Sequence, residues 1–258
     1  METTLYDYIA QKRHLEANRA AHPRQDYSDY IHFLRKSLPK LRRKRLPFWR
    51  KTDATKLDTL RRCLARPIGV DGGLILEFGV FKGNTIRMIA NAYPNENVYG
   101  FDSFDGFPED GRSDWQADFS LKGELPDVPP NVTLIKGYFD NTLPAFLDRH
   151  PGRAIAFLHI DCDIYSSTKT ILSLCGSRIV PETVIVFDEL LHNRPFLNNE
   201  MLALYEFIRD EGRSIKWLGI RDKVMNIDEY LANVDSLPEK MAEWRRLGYE
   251  QEVALRII

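Results

Sequence analysis

Cysteine is scarce in this chain. Cys63, Cys162 and Cys175 are odd in number and lack C-x-x-C spacing, which excludes a disulfide framework and a cysteine-built zinc site and suits a reducing compartment. A dominant charge is also missing: the formal net charge of −1 gives no global pull toward nucleic acid or anionic lipid. No apolar run approaches the ~18 residues of a membrane span. The N-terminal Met1-Glu-Thr-Thr-Leu-Tyr-Asp-Tyr has no basic region followed by an apolar one. A soluble, cytoplasmic protein is expected. Internal repeats and low-complexity tracts are absent, while 43% hydrophobic content over 258 residues is enough for one large α/β domain and an accessory segment.

A further absence is more specific. In Leu74-Ile-Leu-Glu-Phe-Gly-Val-Phe-Lys-Gly83 an apolar run reaches an acid and then glycines, as in a nucleotide-binding βαβ unit, yet Phe81 stands where the dinucleotide fingerprint G-x-G-x-x-G needs a residue that admits a pyrophosphate. NAD and FAD are therefore disfavoured. Leu74 to Phe78 reads as a buried parallel strand, Gly79 and Gly83 bracket the turn, and a helix follows over Asn84 to Tyr93, ended by Pro94. The next strand, Asn97-Val-Tyr-Gly-Phe-Asp102, delivers a carboxylate beside the turn, suited to a ribose diol, with Ser103 immediately after it. A cofactor with an adenosine and no phosphates fits. S-adenosylmethionine places its ribose at Asp102 and its amino acid end at Glu77 and the Gly79–Gly83 turn.

Short apolar runs near 73–78, 97–102, 132–136, 155–161, 183–188, 214–220 and 250–257 alternate with helical segments from Thr59 onward. They predict a doubly wound, mainly parallel, seven-stranded sheet with helices on both faces, over residues 61–258. Residues 1–60 read as a helical accessory segment. Its basic stretch 35–51 has nine Lys or Arg and no acid, and suits either phosphate or membrane binding or a solvated arm whose leucines pack on the main domain. Pro39 and Pro47 favour the arm, since they should interrupt any long amphipathic helix. The connection Ser103 to Pro130 is long and carries Phe104, Phe107, Trp115 and Phe119, as a lid would.

Two more strands end in carboxylates: Ala154-Ile-Ala-Phe-Leu-His-Ile-Asp161 and Thr183-Val-Ile-Val-Phe-Asp188-Glu189. At the carboxyl ends of adjacent strands, Asp161, Asp188 and Glu189 should share one crevice. Carboxylates so placed repel unless a cation sits among them, and hard oxygen donors suit Mg²⁺. A metal-bound hydroxyl beside an S-methyl sulfonium would then be the reacting pair, with Asp161 or His192 taking the proton. Asp163 and Ser167 read as helix caps, and His159 as a core histidine.

With these motifs in place, the chain resembles the macrocin O-methyltransferase family of class I S-adenosylmethionine-dependent methyltransferases. The likeness rests on Glu77-Phe-Gly-Val-Phe-Lys-Gly83, Gly100-Phe-Asp-Ser-Phe-Asp-Gly-Phe-Pro-Glu109, His159-Ile-Asp-Cys-Asp-Ile-Tyr-Ser-Ser-Thr168 and Val186-Phe-Asp-Glu189, and covers about residues 70–258. The resemblance implies a Rossmann-like fold and a cofactor pocket from Glu77, Gly79, Gly83 and Asp102. It also implies a metal at Asp161, Asp188 and Glu189, and methylation of a hydroxyl on a sugar or similar acceptor. Members of that family tend to carry two aspartates where this chain has Asp188-Glu189. A small-molecule acceptor is expected, with no nucleic acid, no membrane span and an oligomer left open. The rival readings are a nicotinamide oxidoreductase and a nucleic-acid or membrane binder using residues 35–51.

Overall fold

A computed structural model describes residues 24–43, 58–108, 119–191, 197, 199–220, 224, 226–228 and 251–258. Its helices are α1 (Arg24–Arg43), α2 (Asp58–Leu64), α3 (Asn84–Ala92), α4 (Phe139–Arg149), α5 (Tyr165–Cys175) and α6 (Glu200–Asp210). The strands are β1 (Leu74–Phe78), β2 (Val98–Asp102), β3 (Val132–Lys136), β4 (Ile155–Ile160), β5 (Ile179–Phe187), β6 (Ile215–Ile220) and β7 (Val253–Ile257). They form one seven-stranded sheet in the order β3-β2-β1-β4-β5-β7-β6, the expected doubly wound architecture. β7 runs antiparallel to both neighbours and the other pairs are parallel.

The apolar runs become central strands for the reason that their pattern suggests: β1 and β4 are buried at every residue, because helices cover both faces of the sheet. On one face Phe78 stacks on Phe101 at 4.7 Å between centroids, and Phe139 and Phe146 meet that pair edge-on. Order reverses between β1 and β4. The chain leaves β1 toward β2 and β3 and returns to β4 and β5, which opens a crevice at the carboxyl ends of these strands.

The helix over Arg24–Arg43 corrects one expectation, since α1 continues through Pro39. Pro39 is exposed, where solvent can serve the carbonyl that loses its amide partner, while Tyr30, Leu34, Leu38 and Leu41 form a buried stripe on the other side. That stripe joins the same core as β1, β4 and α6. Leu34→Ala is accordingly expected to cost about 2–5 kcal/mol in urea unfolding, as a core truncation does. A cost below about 1 kcal/mol would make α1 an appended arm. Within the basic stretch, Arg35 pairs with Asp228 at 2.7 Å, and residues 44–51 lie outside the described residues.

At the other end of the chain, Glu252 enters β7 with 2% exposure and accepts the Thr59 and Leu60 amides at 2.9 and 3.0 Å, tying the start of α2 to the sheet. Burial, then the negative charge of Asp188, push its pKa up to about 7; His159 and the two amides pull the other way. A carboxyl that holds its proton more tightly when folded contributes stability that is full below its ordinary value and is lost as pH rises through about 7. Glu252→Gln, neutral throughout, should therefore gain on the wild type by roughly 3 kcal/mol between pH ~4.5 and ~7.5. Urea midpoints across that range check it.

Candidate active site

The backbone ladder runs past the strand ends and fixes their carboxyl termini at one level. Gly79 N–H donates to the Phe101 carbonyl at 2.9 Å, Asp161 N–H to that of Phe78 at 2.8 Å, and Asp188 N–H to that of Ile160 at 3.0 Å. A cavity of about 870 Å³ opens there, within the range of small-molecule sites. Gly79, Asp102 and Ser103 line one side of it, and Asp161, Asp188 and Glu189 the other. Gly79 has φ +91, and a Cβ on it would overlap the Asp161 carbonyl oxygen; only glycine lets the turn after β1 lie against the loop after β4.

Asp102 accepts the Val80 and Phe81 amides on Oδ2 at 2.8 and 2.7 Å, and the Phe104 amide on Oδ1 at 2.7 Å. Ser103 is engaged locally: its hydroxyl donates to the Gly106 carbonyl at 2.6 Å and accepts the Asp105 amide at 3.1 Å. Around the mouth, the Phe119 ring lies 5.4 Å from Phe81 and 5.5 Å from Phe107, centroid to centroid. The described flanks of the long connection thus close one aromatic wall, whereas Trp115 lies outside the described residues.

Three expectations need correction. Glu77 does not reach the cavity: it lies inside β1, in register with Gly100 and His159, with no exposure. Its Oε1 accepts a hydrogen bond from His159 Nδ1 at 3.0 Å, so the acid and the core histidine are partners beneath the site. Gly83 stands at the N-cap of α3 with φ +77 and is not among the lining residues. Asp163 and Ser167 do not cap α5, whose N-cap is Ile164 without a side-chain cap. Asp163 instead takes a left-handed backbone and lines the cavity, where its carbonyl accepts Asn199 Nδ2 at 2.5 Å.

The acidic wall is larger than the sequence suggested. Among the described residues the lining holds six carboxylates, of Asp102, Asp140, Asp161, Asp163, Asp188 and Glu189, against the single ammonium of Lys82, a balance that favours a ligand carrying positive charge. Asp140 stands in the first turn of α4, just after β3 in Lys136-Gly-Tyr-Phe-Asp140, a position that sequence reasoning passed over. Asp161, Asp188 and Glu189 share this wall without gathering on one point. No group of three or more His, Cys, Asp or Glu among the described residues is close enough to hold a metal ion. Asp188 also faces inward electrostatically: burial alone would lower the His159 pKa, but the Glu77 hydrogen bond and the charges of Glu77, Asp188 and Glu252 raise it. Behind Glu189, the fully buried Glu200 has its pKa raised by burial and then by Asp163, Glu189 and Asp188. His192 lies outside the described residues.

This sheet order, with its glycine turn after β1 and acid at the end of β2, is a Rossmann-like α/β fold of the kind class I methyltransferases share. A family described as a methyltransferase domain matches residues 76–190, and the resemblance read from the motifs is borne out. The chain is 27% identical to an 8-demethyl-8-(2,3-dimethoxy-alpha-L-rhamnosyl)-tetracenomycin-C 4'-O-methyltransferase of Streptomyces olivaceus, over 52% of this chain and 59% of that one. It is 26% identical to a mycinamicin III 3''-O-methyltransferase of Micromonospora griseorubida, over 52% of this chain and 62% of the relative. The matches thus span about 59% and 62% of the lengths of these curated relatives. The solved apo structure of a TDP-rhamnose 3'-O-methyltransferase of calicheamicin biosynthesis has the same fold, with a TM-score of 0.50 at 20% identity over 99% of this chain and 96% of the other. No helix among the described residues is long and apolar enough to cross a membrane.

Proposed function

We propose that the chain is an S-adenosylmethionine-dependent O-methyltransferase acting on a hydroxyl of a sugar or another small natural-product acceptor. The observation that carries this reading is a single cavity with the glycine turn and Asp102 on one side and Asp161, Asp188 and Glu189 on the other. Asp102 keeps an acceptor position for the ribose, and the Gly79 turn takes the methionine end. Bound there, S-adenosylmethionine supplies an electrophilic S-methyl group. The acidic wall favours the sulfonium and its ammonium over a neutral molecule, and Asp161 takes the proton of the acceptor hydroxyl, with His192 as the other candidate base. Phe81, Phe107 and Phe119 cover the apolar side and exclude water.

Mg²⁺ is part of the proposal, at Asp161, Asp188 and Glu189. The support is the donor set, hard carboxylate oxygens at the ends of adjacent strands, and their spacing requires the side chains to move together when the ion binds. Such an ion would lower the pKa of an acceptor hydroxyl. Calorimetry with S-adenosylhomocysteine, with and without MgCl₂, tests both parts. Micromolar binding is expected, and binding of NAD(H) in its place would reverse the assignment. Unchanged methyl transfer to a deoxysugar glycoside in EDTA would remove the metal alone.

A further inference from the structure

We propose that Asp102 is a backbone clamp that sets the shape of the cavity, beyond any hydroxyl it accepts. Its carboxylate is spent mainly on the chain itself, taking the Val80, Phe81 and Phe104 amides. Two of these donors belong to residues whose backbone is disfavoured for anything but glycine: Phe81 has φ +45 and Phe104 φ +57. Non-glycine residues hold that region only where the surroundings over-determine them. Here Asp102 bonds the amides of both.

What the clamp fixes is functional surface. Phe81 carries the ring that meets Phe119 at the mouth, and its left-handed backbone aims the turn after β1. Phe104 is fully buried, and its carbonyl accepts the Leu121 and Gly123 amides at 2.8 and 3.0 Å, so the return flank of the long connection hangs on the same residue. An aspartate at the end of β2 thereby joins the loops after β1 and β2 into one wall. Asparagine cannot replace it, because its amide N–H₂ would oppose a backbone N–H where the carboxylate accepts one. The clamp is independent of ligand; its consequence for cofactor binding rests on the methyltransferase reading.

Amide hydrogen exchange of the ligand-free chain tests the clamp directly. The Val80, Phe81 and Phe104 amides should be protected in the wild type and exchange at least about tenfold faster in Asp102→Asn, with the melting temperature lowered by about 3–6 °C. Unprotected amides in the wild type, or equal exchange in the variant, would overturn it. S-adenosylhomocysteine affinity should fall about tenfold in Asp102→Asn. Adding Phe81→Gly, which accepts φ > 0 without help, should recover part of that loss, whereas Phe81→Ala should not. Equal affinities in the two double variants would reduce Asp102 to a ligand acceptor. A wild type that binds no S-adenosylhomocysteine, with the amides still responding to Asp102→Asn, would retain the clamp and overturn the methyltransferase reading.

Discussion

Gly79→Ala is expected to cost roughly 3–5 kcal/mol and to abolish ligand binding, an effect at the upper end for one methyl group. Two penalties combine. The residue sits at φ +91, where an L side chain is strained, and its Cβ would overlap a backbone carbonyl, that of Asp161, which cannot swing aside as a flexible side chain would. Relief requires the loops after β1 and β4 to separate, and these loops are the two walls of the cavity. Gly72→Ala is the internal control: it also has positive φ, at +61, but nothing lies within 4 Å of its Cβ, so only the backbone penalty of about 1 kcal/mol applies. Urea unfolding of both variants, with S-adenosylhomocysteine calorimetry, makes the comparison. Equal costs at the two glycines would mean that the contact with Asp161 is relieved without opening the site.

That contact shows how far the sequence could be read. The apolar runs of β1, β2, β4 and β5 announced a parallel sheet because central strands buried on both faces have no polar side to show. Their terminal acids then marked the crevice, since chain order reverses between β1 and β4. Glu77 misled for a physical reason: an acid at the end of an apolar run looks like a site residue, but its partner, His159, arrives 82 residues later in the neighbouring strand. Glu252 drew no notice in the sequence for a like reason: its partners, the Thr59 and Leu60 amides, lie more than 190 residues earlier. Asp102 was legible as a residue and not as a clamp, because its partners are backbone amides, which the side-chain sequence does not reveal. Pro39 read as a helix breaker by a rule for isolated helices, and the buried stripe of Leu34, Leu38 and Leu41 outweighs that rule here.

The proposed reaction places its chemistry on Asp161 and Asp188. Asp161→Asn and Asp188→Asn are each expected to reduce methyl transfer by about 10²–10⁴-fold, the range for removing a general base or a charged group of the reacting wall. S-adenosylhomocysteine affinity should stay within about threefold, because the turn and the clamp that form the proposed cofactor side follow β1 and β2. This division follows from the fold: both aspartate amides continue the parallel ladder, so the amide-for-carboxylate exchange removes charge without moving the backbone. Asp188 is 1% exposed, and its replacement also removes a negative charge that raises the pKa values of His159 and Glu252. Asp188→Asn should therefore lower the pKa of Glu252 and weaken the loss of stability toward pH 7, an effect that Asp161→Asn should not share. Single-turnover transfer from labelled S-adenosylmethionine, with unfolding midpoints across the same pH range, separates chemistry from electrostatics. Transfer within tenfold of the wild type in both variants would move the reacting wall away from these carboxylates, while the clamp at Asp102 would be judged on its own amides.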